Sequence, residues 1–199
     1  MGIDGITDYG YHRVFGINHF GTFLLTNLLM KTIKETSKRS PARIVNVSAG
    51  LYKLGALDFD YIRSETNGYF SDLKMYGQSK LANIMFTIKL SKLLKGFDVT
   101  TYSMHPGAIK SEIGTSFQQS SILNFAYKII SPIFFREGFY GAQTIMYCSL
   151  DDNVTKHSGG YFSNCKQEDL TEIAMNDGAS QKLWDISVEV TQKYLNENW

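Results

Sequence analysis

The sequence predicts an α/β fold of parallel strand–helix–strand units, and three observations carry that prediction. Stretches of helical period alternate with single, short, β-branched runs. From about Tyr11 to Thr36, the residues Val14, Phe15, Ile17, Phe20, Leu24, Leu25, Leu28 and Leu29 mark a long helix that is apolar on more than one side. Such a helix needs a sheet on one face and a further helix on the other. In Asp72–Lys95, Ala82, Met85, Phe86, Leu90 and Leu93 recur every three to four positions. That is the pattern of a helix with one buried face and a lysine-bearing face in water.

Taken in order, residues 1–10 hold three glycines without periodicity and read as a loop or frayed end. Lys38-Arg39-Ser40-Pro41 closes the first helix, and Arg43–Val47 is a buried strand. Residues 49–71 form a long connection of the kind that walls a site. The helix bearing Tyr76 ends at Gly96, and Asp98–Ser103 is the next strand, broken by His105-Pro106-Gly107. Residues 111–135 resemble an insertion, with an aromatic, amphipathic stretch at Ile122–Ile130. Arg136–Leu150 is a further helix and Tyr161–Phe162 a last short strand. A C-terminal helix, Gly178–Tyr194, carries Leu183, Trp184, Ile186, Val190 and Tyr194 as its stripe. Three strands can be placed, with the order α-β-α-β-(α)-α-β-α.

The chain of 199 residues fits one domain, and 43% hydrophobic with 20% charged residues is ordinary for a soluble globular protein. A net charge of +1, with no basic run longer than Lys38-Arg39, argues against a nucleic-acid surface. Cys148 and Cys165 show no metal-ligand spacing and make no disulfide framework, which points to a reducing compartment and no metal. The N-terminus lacks the build of a signal peptide, and no apolar run reaches the length of a membrane span.

Chemistry enters with Tyr76 and Lys80, which stand four apart and so share one helix face. A cation beside a phenol favours the phenolate. Bringing a tyrosine from about 10 to about 7 needs roughly 4 kcal/mol. A charge pair some 4 Å apart supplies about that at an effective dielectric near 20, whereas an exposed helical pair is worth only about 0.3–0.5 kcal/mol. The pair becomes chemical only in a sheltered pocket; in the open it is a solvated helix face.

Around this pair, Asn18-His19-Phe20-Gly21, Arg43-Ile44-Val45-Asn46-Val47-Ser48, Tyr76-Gly77-Gln78-Ser79-Lys80 and His105-Pro106-Gly107 follow one another in order. Together with INHFGTFLLTNLL, YGQSKLANIMFT, VTTYSMHPGAIKSEI, GAQTIMYCSL and SGGYFSNC, they resemble the short-chain dehydrogenase/reductase family, in its retinol-dehydrogenase-like branch. The resemblance runs from about residue 10 to 195. It implies the C-terminal part of a Rossmann-like doubly wound parallel sheet, with residues 1–199 forming a single partial domain. It also implies a hydride transfer with NAD or NADP that interconverts a lipophilic alcohol, such as retinol, and its carbonyl.

In that resemblance Tyr76 is the acid/base, Lys80 lowers its pKa and bonds the nicotinamide ribose, and Asn18 holds a water linking Lys80 to solvent. Pro106 and Gly107 form the turn beside the nicotinamide, the backbone of Ile109 meets its carboxamide, and Ser111 approaches the amide or diphosphate. The family's substrate-orienting serine falls on Ala49, so Ser48, one residue earlier, is the remaining candidate; on a strand, neighbours face opposite ways. No two glycines stand two apart, so the glycine-rich turn of a dinucleotide fold is not in this sequence. The expectation is a chain missing its N-terminal cofactor-binding unit, with weak dinucleotide binding on its own. A second reading is a catalytically inactive product acting as a dimerisation or interaction partner. Homo-oligomerisation, peripheral membrane contact through residues 121–135, and a place on the cytoplasmic side of an endoplasmic-reticulum-like membrane complete the expectations.

Overall fold

The computed structural model describes residues 5–107 and 138–195. The first helix is three pieces joined end to end: Arg13–Phe15 (α1), a π-helical turn at Gly16–Gly21, and Thr22–Ser37 (α2). His12 starts it, its Nδ1 accepting from the Val14 N–H at 3.1 Å. The periodicity of the sequence shows no sign of the π-turn, which inserts an extra residue per turn and often marks a functional position. This one carries Asn18 and His19.

The other elements are β1 (Ala42–Val47), α3 (Tyr69–Leu93), β2 (Val99–His105), α4 (Gly138–Leu150), β3 (Tyr161–Ser163), β4 (Lys166–Glu168) and α5 (Asp177–Thr191). The sheet order is β1-β2-β3-β4. β1 runs parallel to β2, Ala42 opposite Val99 and Val47 opposite Met104, and β2 runs parallel to β3. The three expected parallel strands are therefore neighbours. β4 adds an antiparallel hairpin that the sequence reading lacks, because Lys166-Gln167-Glu168 has no β-branched residue to announce it. Its turn holds Asn164 and Cys165 at φ of 49° and 56°, the doubly left-handed geometry of a two-residue hairpin.

One expectation needs correcting. Helix α3 does not present a single buried face; between Met75 and Leu90 it is enclosed on nearly every side, with Gly77, Gln78, Ser79, Asn83 and Thr87 buried beside Leu81, Ile84 and Phe86. The sheet covers one side, while the π-turn, α5 and the 3₁₀ turn Gly50–Leu54 cover the others. Its Thr87 is paired twice: Asn46 Nδ2 donates to Thr87 Oγ1 at 2.9 Å, and Thr101 Oγ1 donates to the Thr87 carbonyl at 3.0 Å. Small and polar residues pass for surface in a sequence pattern, yet here they permit close packing.

The core lies in patches on both faces of the sheet. Tyr11, Phe15, Phe20, Ile62 and Met85 pack on one side of α3, and Phe23, Ile44, Phe86 and Val99 meet Trp184 further along. Tyr102, Met104, Cys148 and Phe162 pack together as a third cluster with α4. β1 is an edge strand. Between it and α2 runs a groove of about 460 Å³ lined by Ile17, Leu25, Leu29 and Val47, with Asn18 and Lys80 also on its wall. Among the described residues, no helix is long and apolar enough to cross a membrane. Residues 121–135 lie outside the described residues.

Gly77 sets how closely the Gly50–Leu54 turn approaches α3. A Cβ at Gly77 would stand 2.7 Å from the Leu51 carbonyl oxygen, closer than real contacts allow. Gly77→Ala is expected to cost about 1–3 kcal/mol through overpacking, read as a lower urea midpoint; an unchanged midpoint would show that the turn yields freely.

Candidate active site

The site assembles at the C-terminal end of β1, where α3 passes over Val47 and Ser48. Lys80 Nζ donates to the Val47 carbonyl at 3.3 Å and lies 5.4 Å from the centre of the Tyr76 ring. Among the described residues, no carboxylate forms an ion pair with Lys80. Both side chains are partly sheltered, and burial acts on each in the sense that disfavours charge. The Tyr76 hydroxyl is pushed above the ordinary phenol value, and the Lys80 ammonium is held below that of an ordinary lysine. Desolvation is the cause in both cases.

Asn18 reaches the same turn of α3 by another route. Its Nδ2 donates to Ser79 Oγ at 2.9 Å, and Ser79 Oγ donates to the Tyr76 carbonyl at 2.7 Å. Asn18 is thus tied through Ser79 to the main chain of Tyr76, and Asn18 and Lys80 share the wall of the groove.

Ser48 is turned away from this opening. It is 1% exposed and its hydroxyl donates to the Lys80 main-chain carbonyl at 2.9 Å, stitching the strand end to the helix. Ala49, also buried, has no hydroxyl to offer. The strand alternation that exposes Val47 sends Ser48 inward. In this arrangement Ser48, expected to orient substrate, instead bonds the main chain of α3.

Pro106 and Gly107 follow directly on β2. Gly107 has φ of +88°, and among the described residues other than its chain neighbours no atom lies within 4 Å of where its Cβ would be. Ile109 and Ser111 lie outside the described residues. Among the described residues, no cluster of three His, Cys, Asp or Glu side chains can hold a metal.

Sequence reasoning missed Ser79, which anchors Asn18, and the pair His19–Asn83 behind Lys80. Their signal was visible as an imidazole and an amide within strongly apolar helical runs. His19 is fully buried between Asn83 and Ser187, and burial pushes its pKa down to about 4.

No protein-family model matches the chain. Retinol dehydrogenase 14 of Homo sapiens is 40% identical over 181 residues, which is 91% of this chain and 52% of that protein. The chain spans about half the length of the curated relatives it matches. A crystal structure of an uncharacterised protein from Mycobacterium Paratuberculosis superposes with a TM-score of 0.66 at 24% identity, covering 95% of this chain and 62% of that one. NADPH-bound carbonyl reductase from chicken fatty liver gives 0.53 at 16% identity, over 78% and 55% of the two chains. Over nine-tenths of its length the chain is homologous to retinol dehydrogenases of the short-chain dehydrogenase/reductase family, and its fold agrees with that homology.

Because His19 titrates near 6.5 when unfolded and at about 4 when folded, its neutral form is the one the fold favours. That stability is complete above about pH 6.5 and is lost as pH falls through 4. It amounts to about 3 kcal/mol, at about 1.4 per unit. Urea denaturation at pH 7 and pH 4 should show this loss in the native chain and a smaller one in His19→Gln.

Proposed function

We propose that the chain serves NAD(P)-dependent interconversion of an alcohol and a carbonyl on a lipophilic, retinol-like substrate, with Tyr76 as the acid/base. One observation carries the reading: a phenol and an ion-unpaired ammonium stand on consecutive turns of a buried helix, at the C-terminal end of a parallel strand. Shelter of this kind is what the pair needs to be chemical. The homology to retinol dehydrogenases supports the substrate class.

The residues present fit the nicotinamide and ribose end of such a cofactor. Lys80 spends only one long hydrogen bond on Val47, so its ammonium has donors left for a ribose hydroxyl. When bound, the dinucleotide supplies or accepts the hydride. In carbonyl reduction, Tyr76 hands its proton to the substrate oxygen, and Lys80 stabilises the phenolate left behind. With Ser48 bonded inward, orientation of that oxygen falls to Tyr76. Because the sequence has no G-x-G turn to cradle the pyrophosphate, the dinucleotide is bound weakly and is best supplied at saturating concentration.

The full chain with excess NADPH or NADH and a long-chain aldehyde is expected to consume the reduced cofactor, and Tyr76→Phe to lower that rate by about 10²–10⁴-fold. A phenol pKa raised by burial means that reduction holds into the alkaline range and fails only as Tyr76 ionises, while alcohol oxidation rises with pH. An activity indifferent to Tyr76, or no activity in the native chain, would remove the reading.

Self-association belongs to the same proposal. β1 is a sheet edge, and Ile17, Leu25 and Leu29 are exposed beside it, as is its own Val47. Edge strands and apolar patches of this kind invite a second chain. Light scattering is expected to report dimers or larger species, shifted towards monomer by Leu25→Glu with Leu29→Glu. A monodisperse monomer of the native chain would contradict this.

A further inference from the structure

Behind Lys80 a buried polar chain crosses three elements. Ser187 on α5, His19 on the π-turn and Asn83 on α3 are each 2% exposed or less. His19 Nε2 lies 2.8 Å from Ser187 Oγ, and Nδ1 lies 3.3 Å from Asn83 Oδ1. Asn83 Nδ2 then donates to the Val47 carbonyl at 3.4 Å, the same oxygen that Lys80 Nζ reaches at 3.3 Å. One carbonyl with two lone pairs is therefore shared between the amide and the ammonium, each on a long bond.

A carbonyl only accepts, so Asn83 turns its NH₂ to Val47 and its oxygen to His19, which calls for a proton on His19 Nδ1. At the other end Ser187 Oγ lies 2.8 Å from Nε2 but also donates to the Leu183 carbonyl at 2.7 Å, so a proton on Nε2 competes with the one on Nδ1. Burial, which keeps the imidazole neutral, is consistent with a single-proton ring. The π-turn makes this possible: one irregular turn sends Asn18 to Ser79 and its neighbour His19 to Asn83. The helix turn carrying Tyr76 and the one carrying Lys80 are thus both tied to the same irregularity.

From this geometry we infer that Asn83 and His19 are positioning residues for Lys80. Asn83 occupies one side of the Val47 carbonyl and so denies Lys80 a short, exclusive bond, which leaves the ammonium free to turn towards Tyr76 and a ribose. His19, anchored by Ser187, decides which end of the Asn83 amide faces the strand. Without Asn83, Lys80 closes on the carbonyl and withdraws from Tyr76. Without His19, the amide is free to flip, and its oxygen then draws the ammonium to itself. The inference rests on the roles given above to Tyr76 and Lys80, but its test does not need them.

Trace acetylation of the full chain, followed lysine by lysine with mass spectrometry across pH, reads the reactivity of Lys80 directly. Asn83→Leu and His19→Leu should each slow labelling of Lys80 by roughly threefold or more, the effect of about half a pKa unit. His19→Gln, which keeps a donor and an acceptor, should restore much of the native rate. Lys89 and Lys92, bonded to Gln181 and Asp177 across α3 and α5, should stay unchanged and report an intact fold. An unaltered Lys80 rate alongside unaltered Lys89 and Lys92 overturns the proposal and leaves the chain of bonds a structural stitch. Should the variants unfold, the native protein still decides it. Nitrogen NMR should find the His19 proton on Nδ1, and a proton on Nε2 overturns the proposal. A shift at Lys80 in a chain with no oxidoreductase activity would keep the positioning and remove the catalytic role.

Discussion

The enclosure of α3 is the constraint on which the rest of this structure depends. A helix covered on nearly every side cannot carry large residues everywhere, so its close contacts fall on Gly77, Ser79, Ala82 and Thr87. Where the Gly50–Leu54 turn presses on it, only a hydrogen fits. Where it crosses the sheet, Thr87 is the meeting point for Asn46 and Thr101. At that crossing Asn46, Thr87 and Thr101 find partners in one another, as a buried site requires.

Enclosure also produces the electrostatics of the site. Taking Tyr76 and Lys80 out of water costs whichever form is charged, which raises the phenol and lowers the ammonium. Among the described residues no carboxylate relieves Lys80, so its charge rests on one long bond to Val47 and on the face of an aromatic ring. Its other N–H groups can donate to a ligand that brings hydroxyl or carbonyl oxygens.

The π-turn at Gly16–Gly21 links this environment to the far side of the molecule. It delivers Asn18 and His19 in succession to two different places on α3 and brings α5 into contact through Ser187. The apolar surface of α2 beyond it remains open beside β1, so one helix supplies part of the site at one end and an uncovered face along its length.

Local patterns in the chain determined much of this. The elements and their order, the three parallel strands, and the placing of Tyr76 and Lys80 on one helix face follow from periods of 3.6 and 2 acting over short stretches. The sequence alone also showed that Ala49 carries no hydroxyl and that no G-x-G turn is present. Only the tertiary structure decided the rest. The inward turn of Ser48, the burial of α3 on all sides, the hairpin of β4 and the raised pKa of Tyr76 all depend on neighbours that no local pattern supplies. Asn18 meets Ser79 across 61 positions, His19 meets Asn83 across 64, and His19 meets Ser187 across 168. A periodicity reports which face of an element is apolar. It does not report what is packed against that face, and here the packing decides both the proton and the lysine.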